Sequence, residues 1–116
     1  MKLFTALAAL TFIAAPVQAG YVTCETTRSG GDGSSWIFNY ATNEEQSTLS
    51  ETIPSTGRTE TLRAVYSADA IVAPMSVAGF SGQIQLDRST GEITRTLAGT
   101  DYSGTCKPAA APIQLF

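Results

Sequence analysis

The stretch Phe80-Ser-Gly-Gln-Ile-Gln-Leu-Asp-Arg-Ser-Thr-Gly-Glu-Ile-Thr-Arg-Thr-Leu97 decides the fold. Phe80, Gly82, Ile84 and Leu86 alternate with Ser81, Gln83, Gln85 and Asp87. After the turn Asp87-Arg-Ser-Thr-Gly91, Ile93, Arg95 and Leu97 alternate with Thr94 and Thr96. A period of two places each set on one side of a pleated strand. The glycine that closes the turn supplies a positive φ. The segment therefore reads as an antiparallel hairpin with one apolar and one polar face.

The same pattern extends in both directions. Residues 21–27 form a first strand, with Tyr21, Thr23 and Glu25 on one face and Val22 and Cys24 on the other. Ser29 to Ser35 is a Gly/Ser-rich loop. Residues 36–42 form a second strand, with Trp36, Phe38 and Tyr40 in phase. Residues 47–53 carry Leu49 and Ile53 in alternation, and Pro54 to Gly57 is a turn. Residues 59–66 place Leu62, Ala64 and Tyr66 together. Residues 70–72 read as a short strand or one helical turn, and Pro74 argues against regular structure continuing through it. A last strand, 101–106, leads to the second cysteine. The sum is an all-β antiparallel meander of six to eight short strands, closed as a small barrel or folded as a sandwich.

Residues 1–19 read as a cleaved signal helix. Lys2 gives the positive end, Leu3 to Ala15 an apolar run of thirteen residues, and Val17-Gln18-Ala19 the small residues that a signal peptidase reads. The run is too short for a membrane span, which needs about 20 residues. Cleavage after Ala19 leaves residues 20–106 as a β domain and 107–116 as an Ala/Pro-rich tail. The destination is the periplasm or the medium, and no stable membrane insertion is expected. The tail ends in Phe116, as outer-membrane strands often do. Pro112 and Gln114 occupy the positions in step with it, against such a strand.

Without the leader, six basic residues face ten acidic ones, a formal charge of −4. The arginines are scattered, so no nucleic-acid footprint exists. Cys24 and Cys106 are the two cysteines of an exported chain and are expected to bond. The enclosed loop of about 80 residues gives such a bond roughly 4–5 kcal/mol in the chain-entropy picture.

Histidine is absent. This removes serine–histidine and cysteine–histidine catalysis and most zinc or copper sites. Gly30-Gly31-Asp32-Gly33 lies between two strands and lacks the lysine of a phosphate loop. Its single carboxylate is too little charge for calcium. No cofactor, metal or catalytic residue is expected. Trp36, Phe38 and Tyr40 form a core face, or else Trp36 and Tyr40 form a platform for a glycan or protein partner.

Two resemblances follow from these residues. Residues 80–91 with Gly104-Thr-Cys106 resemble the end of short exported β-proteins of Gram-negative bacteria, which share an Asp/Asn-Arg-x-Thr-Gly hairpin and a terminal Gly-x-Cys. More loosely, the layout is similar to the periplasmic inhibitors of C-type lysozyme, small barrels with a cysteine near each end. The Ser-Gly-x-x-Tyr motif of those inhibitors has no equivalent here, because Ser29-Gly30 lies in another loop and lacks the tyrosine. No inhibitory residue carries over. The expectation is a non-catalytic binding or envelope-associated protein. A hydrolase inhibitor and a small carboxylate-dependent hydrolase are the alternatives.

Overall fold

The computed structural model describes residues 20–30 and 33–109. The leader 1–19 and residues 110–116 of the tail lie outside the described residues. Nine strands form one antiparallel sheet: β1 (Gly20–Arg28), β2 (Ser35–Asn43), β3 (Thr48–Ile53), β4 (Arg58–Arg63), β5 (Val65–Tyr66), β6 (Ala70–Val77), β7 (Phe80–Asp87), β8 (Glu92–Leu97) and β9 (Thr100–Pro108). The spatial order is β4-β3-β2-β1-β9-β8-β7-β6-β5. Only Ala64 separates β4 from β5, so the two ends of this list are one bent strand. The nine segments thus make an eight-stranded up-and-down barrel, within the range that the sequence implies.

Closure occurs at two places. The first is β1 against β9, from Val22↔Pro108 to Arg28↔Tyr102. Cys24 and Cys106 are direct partners in that ladder and are joined by a disulfide. Ala109 donates its amide to Tyr21, which puts Tyr21, Thr23, Glu25 and Thr27 in hydrogen-bonding phase with β9. Cys24↔Cys106 is therefore a non-hydrogen-bonded pair, where opposing side chains approach most closely. The second closure is β5 against β6, which pairs only Val65↔Val72 and Tyr66↔Ile71. Among the described residues no ladder joins β4 to the rest of β6.

Pro74 sits inside β6, contrary to the reading that regular structure stops there. Ala70 exchanges bonds with Ser67 on the β5 side. By alternation Val72, Pro74 and Ser76 also point their backbone groups that way. β5 ends opposite Val72, so the missing N–H of proline faces a gap and costs no ladder bond. β9 likewise runs past the expected end of the domain, taking in Lys107 and Pro108.

Inward-facing side chains fill the lumen. Cys24, Phe38, Tyr40, Leu49, Ile84 and Ile93 are the largest fully buried residues. Outward positions carry hydroxyls and amides, among them Thr27, Ser50, Thr52, Thr61, Gln83, Gln85, Thr94 and Thr105. Phe80 has the inward parity but is 57% exposed, because it lies at the rim just beyond a two-residue turn. Gly91 has φ +81°, as the hairpin requires. Gly104 is fixed by space: a Cβ there would collide with the backbone carbonyl of Glu25.

Candidate functional site

Among the described residues the lumen holds one charged pair, Glu51 and Arg95. Glu51 on β3 and Arg95 on β8 lie on opposite walls of the barrel, four strands apart in either direction. Arg95 donates from Nε to Glu51 Oε2 at 2.7 Å and from a terminal guanidinium nitrogen to Oε1 at 3.0 Å. Tyr40 donates its hydroxyl to Oε2 at 2.7 Å. The guanidinium lies 4.5 Å from the Phe38 ring centroid and 5.7 Å from that of Tyr102. Burial opposes the charge of Arg95, but the Glu51 hydrogen bond and charge outweigh it and hold its pKa above the ordinary value. Burial, followed by the adjacent Glu51 charge, pushes the Tyr40 phenol far up. Every partner is satisfied, so this is a strut across the lumen with no free group for chemistry. Replacing one member would leave a buried charge alone.

The strut separates two unlike ends. At one end Trp36 stacks on Phe38, with ring centroids 6.3 Å apart, and meets the edge of Tyr102 at 5.8 Å. Its indole nitrogen donates to Ser34 Oγ. Trp36 is half-buried and caps this end, and Tyr40 is fully buried with its hydroxyl on Glu51. The two residues share a face, as their spacing implies. That face is the inside of the barrel for Tyr40, whereas Trp36, at the end of the row, also borders an outer groove of about 780 Å³ with Arg28, Ile37 and Pro54.

The other end is open. A cavity of about 380 Å³ is walled by Val22, Tyr66, Ile71, Leu86, Pro108 and the Cys106 half of the disulfide. This volume lies within the range of small-ligand sites. Its rim carries Gly20, Thr42, Glu44, Asp87, Arg88 and Lys107. The hairpin turn that decides the fold builds part of this rim. Asp87 accepts from the amides of Ser89 and Thr90 and from Ser89 Oγ. The Ser89 hydroxyl, foremost among these donors, holds the Asp87 carboxyl below its ordinary pKa. Arg88 reaches out to Glu44 at 2.9 Å and to the carbonyl of Ser67 at 2.6 Å, tying three loops together over the Tyr66 ring. Tyr66 in turn donates to the carbonyl of Thr48 and accepts from the Asn43 amide.

The acids of the strut and of the mouth are therefore committed to structure: Glu51 to Arg95, Glu44 to Arg88, and Asp87 to its own turn. Among the described residues no cluster of three or more histidines, cysteines or acids could hold a metal ion.

The strut had a sequence signal. Glu51 falls in phase between Leu49 and Ile53, and Arg95 in phase between Ile93 and Leu97. Two opposite charges on inward rows are a pairing rule waiting to be applied. The mouth had none, since its wall combines residues from strands far apart in the chain.

Fold and site together define a disulfide-stapled antiparallel barrel with one apolar, charge-rimmed mouth. No protein-family model matches the chain, and no curated protein matches it.

Proposed function

We propose that this is an exported, non-catalytic binding protein that takes its ligand at the disulfide end of the barrel. The single observation that carries this reading is the apolar-walled cavity of about 380 Å³, bounded by Val22, Tyr66, Ile71, Leu86 and Pro108. An eight-stranded barrel is just wide enough to hold side chains or one small ligand. Here the lumen is filled below the mouth and vacant at it.

Other features support the reading. The two acids at the rim are engaged, and the Asp87 carboxyl is held down, whereas a general acid needs its pKa raised. The disulfide suits an oxidising compartment, in keeping with the periplasm or the medium. No helix among the described residues is long and apolar enough to cross a membrane. The outward face is rich in threonine, serine and glutamine, where a barrel embedded in lipid would show an apolar band.

The test is titration with an environment-sensitive apolar fluorophore. The native protein should bind it with a saturable signal. Pro108→Trp, which places a large ring at an exposed rim position, should weaken binding about tenfold. Trp36→Ala, at the opposite end, should leave affinity unchanged in the molecules that fold. Loss of binding in Trp36→Ala together with full binding in Pro108→Trp would move the site to the aromatic end.

A further inference from the structure

Gly20 is the first residue of β1 and stands on the rim of the mouth. Its nitrogen donates to Thr42 Oγ1 at 3.0 Å. The leader reading places the cut immediately before this residue. Cleavage there converts the Gly20 amide nitrogen into an α-ammonium on the cavity rim, still within reach of Thr42.

The charge balance of the rim makes this matter. Its charged side chains are Glu44, Asp87, Arg88 and Lys107. Arg88 and Glu44 neutralise each other at 2.9 Å. Asp87 is turned into its own hairpin by Ser89 and Thr90. Lys107 has no ion-pair partner among the described residues. The four side chains sum to zero, and the new ammonium brings the rim to a net +1. The cations left to meet a ligand are then Lys107 and the amino terminus.

We propose that leader removal completes the binding site: the Gly20 ammonium and Lys107 select a ligand with a short apolar body and an anionic head, such as a medium-chain carboxylate. This rests on the mouth being the binding site. The apolar body meets Val22, Ile71 and Leu86, and the head remains at the water-exposed rim, so no charge is buried unpaired. The amino terminus also gives the site its own pH signature. An α-amino group titrates near 7.7–8.0, whereas lysine titrates near 10.4. Carboxylates, tyrosine and arginine ordinarily titrate outside that interval, and burial raises Tyr66 further. Thr42, Pro108 and Ala109, which flank Gly20 on β2 and β9, do not titrate.

The experiment uses the exported protein, with its amino terminus first established by mass spectrometry. Octanoate and octanol compete against the fluorophore at pH 7 and pH 9. Octanoate should bind about threefold to tenfold more tightly than octanol at pH 7, the range that two exposed charge pairs supply. Selective carbamylation of the α-amino group, or raising the pH to 9, should remove part of that preference. Lys107→Gln should remove the rest. An amino terminus other than Gly20 overturns the proposal. So does equal affinity for the two probes, or a preference indifferent to both carbamylation and pH; either result leaves the mouth standing as a binding site. Failure of both probes to bind overturns this proposal and the mouth reading together.

Discussion

The barrel is closed twice, and the two closures are built in opposite ways. Between β1 and β9 seven residues of each strand are in register, and a disulfide crosses the ladder. Between β5 and β6 two residues of each are in register, and nothing covalent crosses. The first closure joins segments 82 positions apart, so its loop entropy is the largest the chain has to overcome. The second joins segments separated by a tight turn, where closure is cheap. The covalent link stands where entropy opposes pairing most, and the frayed seam where sequence proximity already holds the strands near each other.

Breaking the first closure should have the largest effect. Replacing both Cys24 and Cys106 with serine, or reducing the disulfide, should remove about 4–5 kcal/mol by the loop-entropy estimate. For a domain of this size that is a large fraction of its stability. Urea denaturation with and without reductant measures it, and coincident curves would refute it. Glu51→Gln comes next. The strut braces β3, next to the weak seam, against β8, and its loss leaves Arg95 buried without its counter-charge. A cost of about 3–5 kcal/mol is expected, and restoring a small neutral pair with Arg95→Met should recover part of it. Gly104→Ala attacks the strong closure sterically, since the added methyl meets the Glu25 carbonyl. A loss of about 2–3 kcal/mol is expected from the forced backbone shift.

The comparison can also be sharpened with no mutation at all. Ala64 donates to Ser47, so Leu62 and Glu60 point their amides toward β3, while Thr59, Thr61 and Arg63 point theirs toward the weak seam. In hydrogen exchange, the Thr61 and Ser76 amides should exchange at least about a hundredfold faster than those of Glu25 and Thr105 in the strong closure. Equal protection would mean that the second seam is closed in solution. The smallest effect is expected from Pro74→Val. A donor restored to an edge with no acceptor opposite should change stability by less than about 0.5 kcal/mol.

The fold was legible where physics is local. The 80–97 hairpin carries period-two alternation and a turn with aspartate and glycine at fixed offsets, and both ends of the cysteine pair fall on strands of the right parity. Pro74 misled because the rule against proline in strands assumes neighbours on both sides. The rule itself holds, and the gap beside β6 is what satisfies it. The division of residues 59–66 into β4 and β5 at Ala64 follows from barrel closure, which no local pattern encodes. Trp36 and Tyr40 were correctly placed on one face, but alternation alone does not say whether that face looks inward. Glu51 and Arg95 were visible as charges in apolar phase, each in its own strand. Their meeting across the lumen depends on which strands stand opposite, and only the closed ring decides that.

The Glu51–Arg95 strut has one more consequence. With Tyr40 bonded to it and Phe38 beneath it, it is a partition that divides the interior into two chambers. On one side of it the rings of Trp36, Phe38 and Tyr102 pack against one another, and on the other lies the cavity of about 380 Å³. In form the barrel is a cup, with a floor of side chains beneath its mouth, and not a tube.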